Sequence, residues 1–393
     1  MISLPAEIPE NLIREIRKVS DFIYSHPELG YREKQASRHI SDFLVRHGFK
    51  VEHPFCGLPT AFRGGIMTGD AADAPCAAVL AEYDALPEMG HACGHHLITA
   101  AALCAACLAA ETARKRNIPL NLYVIGTPAE EGGGGTIQLI QKNGFAGVDL
   151  ALMAHPGGFT ETDNGALGVA RARISFHGKS AHATLPEAGK NALDAAVCFY
   201  ADVMEWRRQI PKPKCVHGIL TKTGEAANII PDLAEAFFYV RAPSPDGLAG
   251  LKRKLEQSAE KGAVMTGCSC RVNWESEYHP IKINPPLNLR YRDHWLELGR
   301  EIPLNQGTES RASSDMGNVT EILPGAQFHF SICGERECPG HSIAFREAGG
   351  TEEAFDSALK AGTVMAKILL DYAADPDFRK DVRRAFQQSA QNS

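Results

Sequence analysis

The chain has 393 residues, with 41 Lys and Arg against 47 Asp and Glu, giving a net charge of −6. That balance provides no basic stripe, so a nucleic-acid partner is not expected. Apolar residues make up 44% and charged residues 22%, which suits a globular protein with a large core, and at roughly 150 residues per domain the length suggests two or three domains.

The N-terminal run has neither an apolar core segment nor a small-residue cleavage site, so no secretory signal is expected. Leu12, Ile16, Val19 and Ile23 recur at helical spacing, and a second helix is expected over residues 32–46. An apolar strand follows at 77–83, then an apolar helix at 97–110. That helix is shorter than the roughly 20 residues of a membrane span; it reads as buried, and no membrane partner is expected. Leu120–Gly126 is a second apolar strand, followed by a Gly-rich turn, a helix at 136–142 and a third strand at 148–154. Continuous apolar strands separated by helices imply an α/β fold with a mostly parallel sheet flanked by helices.

The pattern then changes. Residues 169–176 alternate as a half-buried strand does, and 191–208 is helical. Strands are expected at 215–221 and 233–241, a helix capped by Ser244 and ending near Gly262, and a last strand at 268–278. This βαββαβ order fits an inserted ferredoxin-like sandwich. The Pro-rich stretch at 283–287 reads as the return linker. A strand at 328–332 and a long helix at 351–372 close the chain. The expected division is a domain formed by 1–166 and 282–393, interrupted by a second at 167–281. Eleven irregularly spaced cysteines argue against a disulfide framework and for a reducing, cytoplasmic compartment.

Candidate metal ligands follow the ends of the apolar strands. Asp84, Cys93, His95 and His96 come after the first, Glu130 and Glu131 after the second, His155 after the third, and His341 after the strand at 328–332. In open α/β sheets, ligands bind beyond the carboxyl ends of the strands. Thiolate, imidazole and carboxylate suit zinc or its neighbours. Adjacent Glu130 and Glu131 can divide the work between general base and ligand, and Asp84 can orient a ligand histidine from behind the metal. Gly132 to Gly135 is not a phosphate loop, because no Gly-Lys-Ser/Thr follows. Cys104 and Cys107 read as core packing, and His26, His91 and His96 as structural or supporting residues.

The segments Ser25-His26-Pro27-Glu28-Leu29-Gly30, Ala81-Glu82-Tyr83-Asp84-Ala85-Leu86-Pro87, His91-Ala92-Cys93-Gly94-His95 and Pro128-Ala129-Glu130-Glu131 resemble the amidohydrolase branch of the aminoacylase/carboxypeptidase family of di-metal peptidases. The likeness is greatest to p-aminobenzoyl-glutamate hydrolases and β-alanyl-lysine-type dipeptidases. It extends through Gly178-Lys179-Ser180-Ala181-His182-Ala183, Asn228-Ile229-Ile230-Pro231, Ser314-Asp315-Met316 and His341. The resemblance implies two divalent transition-metal ions, zinc or manganese with cobalt or nickel as alternatives. Cys93 would bridge them, His95, Glu131, His155 and His341 would complete the ligands, and Glu130 would be the general base. It also implies that the inserted domain is a lid and dimerisation surface. His182 would then reach the partner's site in a homodimer, and Asn228 and Arg241 would contact substrate. His96 departs from the Asn or Asp usual there.

The activity so implied is hydrolysis of a linear amide C–N bond in a small N-acyl amino acid or dipeptide-like substrate. Two rivals stay open: an aminohydrolase that releases ammonia at the same metals, and a non-catalytic binding protein of the same fold.

Overall fold

The computed structural model describes residue 4 and residues 7–69, 74–305 and 312–391. It falls into two compact units. The first comprises the chain up to Gly165, the segment beginning at Ile281 and the part from Asp315 onward; the second is Ala166–Pro280 with a short return at 312–314.

In chain order, the first unit begins with helices α1 (Glu10–Ser25) and α2 (Lys34–Arg46), then strands β1 (Lys50–Glu52), β2 (Phe62–Thr68) and β3 (Cys76–Ala81). Helix α3 (His95–Lys115), strand β4 (Leu120–Gly126), helix α4 (Gly135–Gln141) and strand β5 (Leu150–Gly157) follow. The second unit holds β6 (Gly168–His177), β7 (Ala181–His182), α5 (Ala192–Arg207), β8 (Cys215–Lys222), β9 (Ile229–Ile230), β10 (Leu233–Ala242), α6 (Pro245–Thr266) and β11 (Ser269–Trp274). The first unit resumes with α7 (Pro285–Glu297), α8 (Met316–Ile322), β12 (Gly325–Ser331), α9 (Ile343–Gly349), α10 (Glu352–Ala374) and α11 (Pro376–Gln391).

The first unit's sheet has the order β1-β2-β4-β3-β5-β12. Strands β4, β3, β5 and β12 run parallel, whereas β2 pairs antiparallel with β4 and β1 antiparallel with β2. All six residues of β3 are buried, as a central strand covered on both faces requires. Helix α3 is long and apolar enough to cross a membrane, yet 94% of its apolar window is buried in the fold. It lies against α10, where a Cβ on Gly362 would stand 2.6 Å from the Ala101 carbonyl. The absent side chain lets the two helix backbones meet.

The second unit is a four-stranded antiparallel sheet, β11-β6-β10-β8. Inward residues Ala170, Ala172, Ile174 and Phe176 of β6 pack with Phe199 of α5 and Leu255 of α6 in its own core. Ser244 caps α6 by accepting from Gly247 N at 3.1 Å.

Several expectations need correction. The Pro-rich stretch at 283–287 is not a linker: Pro285 opens helix α7, where its fixed φ and missing N–H cost nothing. The third strand begins at Leu150 and runs through His155, so that residue lies inside β5 rather than after it. Helix α6 continues to Thr266 and stops at Gly267, whose φ of 67° provides the left-handed C-terminal residue. All eleven cysteines are free.

Candidate metal centre

At the carboxyl ends of the parallel strands, short turns bring the chemistry-bearing residues of the first unit together. Strand β3 leads into Glu82, Tyr83 and Asp84, all buried. The Tyr83 hydroxyl donates to Thr60 O at 2.6 Å, which anchors this segment. Asp84 then bridges two arms of the site: Oδ1 lies 3.0 Å from His95 Nδ1, and Oδ2 accepts from Glu131 N at 2.9 Å. Cys93 and His95 flank Gly94, which has φ 79° and whose Cβ would fall 2.6 Å from Pro156 Cγ. Only a glycine lets this turn start α3 so close to the end of β5.

The turn after β4 is equally constrained. Ala129 has φ 60°, and its carbonyl accepts from Gly133 N at 3.1 Å and Gly134 N at 2.9 Å. A Cβ on Gly135 would lie 1.9 Å from Pro128 O. The glycine run therefore serves a tight backbone turn presenting Glu130 and Glu131. His341, also left-handed at φ 58°, is tied to the Cys93 turn by its N–H, which donates to Ala92 O at 2.9 Å.

Among the described residues three overlapping donor sets result: Cys93, His95 and His155; Cys93, Glu131 and His341; and Glu82, His95 and Glu130, with ligand atoms within 4.8 Å of one another in each. Cys93 Sγ is 3.6 Å from His155 Nε2, His341 Nε2 is 3.2 Å from Glu131 Oε1, and His95 Nε2 is 3.5 Å from Glu82 Oε2. A tetrahedron with bonds of about 2.1–2.3 Å has edges of about 3.4–3.8 Å; two of the separations fall in that range and the His341–Glu131 distance just below it, so they suit donors around small cations. The tautomers agree. His155 Nδ1 is 2.7 Å from Pro156 O and His95 Nδ1 faces Asp84, leaving both Nε2 lone pairs directed inward. Buried His95 Nε2 and Glu82 Oε1 have no hydrogen-bond partner. The residues present therefore fit divalent transition metals.

The electrostatics of the protein groups alone point the same way. Burial, reinforced by Glu82 and Glu131, raises the proton affinity of the Glu130 carboxyl well above the usual carboxylate range. Burial does the same to Glu82 against the pull of His95, and it pushes the Cys93 thiol up. Burial also opposes the charge on Glu131, but its bond to His341 and the nearby His95 overcome this and hold it near 2. Burial, then His329 and His95, lower His155 to about 3. Asp315 is pushed up to about 7 by burial, although Thr136 N donates to its Oδ2 at 3.2 Å. Burial works against a charge on His95, but Cys93 and Asp84 overcome it and raise its proton affinity, and so many buried ionisable groups in one place would be costly without cations.

The remaining expected residues lie in the second unit. His182 on β7 is exposed, with Nδ1 2.8 Å from Thr184 Oγ1. Asn228 stands beside it, since Ala183 N donates to Asn228 O at 3.0 Å. Arg241 on β10 donates to Ser313 Oγ. Sequence reasoning missed Glu82 and Asp315 as parts of the site. The first sits one residue past an apolar strand and looks like its end; Asp315 belongs to a motif whose local pattern carries no ligand signal of its own.

A parallel-sheet edge bearing two donor sets that share a thiol, with a second glutamate beside them, defines a metallohydrolase. The chain belongs to peptidase family M20/M25/M40, whose model matches residues 78–369. It is 34% identical to the Xaa-Arg dipeptidase of Mus musculus over 97% of this chain and 91% of that protein. Identity to one of the p-aminobenzoyl-glutamate hydrolase subunits of Escherichia coli is 26%, over 94% and 91%. A dinuclear metal binding peptidase of this family from Bacillus subtilis shares the fold at TM-score 0.69, 20% identity and coverage of 92% and 99%. The protein is thus a peptidase or amidohydrolase.

Proposed function

We propose that the protein uses two divalent transition-metal ions to hydrolyse the amide bond of a dipeptide, with N-acyl amino acids of the aminobenzoyl-glutamate kind as the neighbouring substrate class. The observation that carries this reading is the membership of Cys93 in two donor sets at once, with His95 and His155 and with Glu131 and His341. A thiolate between two ions is the natural bridge. The dipeptide preference is supported by the greater identity to the mouse Xaa-Arg dipeptidase than to the bacterial aminobenzoyl-glutamate hydrolase.

When bound, the ions would polarise the scissile carbonyl and acidify the attacking water. Glu130 takes the proton of that water as its oxygen bonds to the carbonyl carbon. The C–N bond then breaks, and Glu130 delivers the proton to the departing nitrogen; the second proton of the water passes from the new carboxyl group to the amine, giving a carboxylate and an ammonium. The buried setting of Glu130 raises its proton affinity, which favours a group that must accept a proton from the water and hold it until the nitrogen departs. Asp84 holds His95 and the Glu131 backbone in place. In a homodimer, the partner subunit's His182 would donate to the carbonyl oxygen, where negative charge develops. Asn228 beside it would assist, and Arg241 would pair with the substrate carboxylate. The second unit would act as lid and dimerisation surface. Zinc or manganese, in a cytoplasmic setting, completes the proposal.

The test is metal analysis combined with a substrate screen covering Xaa-Arg and β-alanyl dipeptides, p-aminobenzoyl-glutamate and N-acetyl amino acids under several metals. Close to two ions per chain and release of a free amino acid are expected. A metal-replete preparation that holds no ion, or that releases ammonia and no amino acid, overturns the reading.

A further inference from the structure

We infer that Glu33 is a positioning residue for the catalytic turn, clamping the Ala129 peptide from the segment that precedes α2 and so fixing the direction of Glu130. The inference rests on the reading of Glu130 as the proton carrier.

Glu33 occupies the N-cap position of α2, yet its side chain makes no capping bond to that helix. It is fully buried, and Oε1 accepts from Ala129 N at 2.8 Å, across 96 residues of sequence. A carboxyl group that does not cap its own helix, and that reaches a backbone amide far along the chain while also meeting Thr60 and the backbone of Tyr31, calls for an explanation in the turn it holds. That turn is unusual. Ala129, a residue with a Cβ, has φ 60°, a conformation sparsely populated outside glycine and asparagine and kept only where the surroundings enforce it.

The surroundings do enforce it. Tyr31, itself at φ 62°, donates from its hydroxyl to Gly133 O at 2.6 Å. Gln138 Nε2 in turn donates to that hydroxyl. The two backbones press together where side chains are missing: a Cβ on Gly30 would stand 2.9 Å from Ala129 Cβ, and one on Gly133 would stand 2.7 Å from the same atom. The same segment also reaches the other arm of the site, because Ala85 N donates to Glu28 O at 2.9 Å. Residues 28–33 thus hold both the turn after β3 and the turn after β4.

None of the three donor sets includes Glu33 or Tyr31. Their influence passes through the peptide immediately before Glu130. The backbone of Glu131 has its own anchor in Asp84 Oδ2. Loss of Glu33 therefore loosens Glu130 more than Glu131, and the effect falls on turnover more than on metal binding. A misplacement of about 1 Å can cost around a hundredfold in rate.

The experiment compares Glu33→Ala with Glu33→Gln, which keeps an oxygen acceptor for Ala129 N. The alanine variant is expected to lower kcat by about 10- to 100-fold, with KM within about threefold and metal content unchanged. The glutamine variant should stay within about threefold of wild type. Amide hydrogen exchange of residues 127–134, read without substrate, should quicken in Glu33→Ala and not in Glu33→Gln. Wild-type kcat and exchange in Glu33→Ala overturn the inference, as does a glutamine variant as damaged as the alanine one. Should Glu33→Ala fail to fold, Tyr31→Phe decides it: faster exchange over the same residues is expected, and none overturns the clamp. An absence of wild-type turnover on every substrate would remove the functional reading, while the exchange measurement would still decide the clamp.

Discussion

The Asp84 carboxylate stands 3.0 Å from His95 Nδ1 through one oxygen and accepts the Glu131 N–H through the other, at 2.9 Å. One buried side chain therefore sets the tautomer of one metal-ligand candidate and the backbone of another. Asparagine cannot reproduce this: with its oxygen toward one donor, its amide turns an N–H on the other. Asp84→Asn is expected to weaken metal binding about 10- to 100-fold, measured by competition against a coloured chelator. Unchanged affinity would show that the two bonds are structural only.

Glu130 and Glu131 are neighbours in sequence with opposite electrostatic fates: burial and its acidic neighbours raise Glu130, while His341 and His95 hold Glu131 low. Glu130→Gln should therefore retain both ions and lose turnover by about 10²- to 10⁴-fold. Metal content and kcat measured on the same preparation check this. Metal loss in step with activity would move Glu130 into the ligand set with Glu82 and His95.

Much of this centre was legible in the sequence because potential ligands cluster after apolar strands, and the bounds of β4 emerge directly from its apolar run. What escaped notice has physical reasons. Strand β2 contains Gly64 and Gly65, which weaken any strand signal; they leave room for neighbouring side chains, since Cβ atoms there would lie 2.8 Å from Leu44 Cδ1 and 2.7 Å from Tyr123 Cε1. Helix α7 opens on two prolines, which read locally as a break. Glu33 acts on a backbone amide 96 residues away, and no local pattern encodes such a pairing. Glu82 differs from a strand-end residue only by its burial against His95.

The cross-subunit role of His182 has a direct test in complementation. His182→Ala and Glu130→Ala chains, each inactive alone, are mixed after dissociation and reassociation. If the partner subunit's His182 serves the site, one of the two centres in each mixed dimer has both residues, and about a quarter of wild-type activity returns at random assortment. Mixed dimers that form, as judged by a size tag on one chain, but show no activity would place His182 in its own subunit's chemistry or outside it altogether.

His96 offers a prediction on acid stability. Burial lowers its pKa from 6.5 to about 4, with only the Gly349 carbonyl, 3.0 Å from Nε2, working against the shift. The folded state resists the proton that the unfolded chain accepts, so the stability this residue lends is present above about pH 6.5 and drains away as pH falls toward 4. Between pH 7 and 5 the loss should be about 2 kcal/mol. Buried His91 and His155 shift in the same direction, so wild-type stability alone cannot isolate the effect, but a difference can. His96→Gln places an amide N–H near the position of Nε2, facing Gly349 O, and removes the titration. In chelator-treated protein, denaturant unfolding should show the variant losing less stability than wild type over this range, and curves that stay parallel from pH 7 to 5 would mean that His96 takes its proton without unfolding.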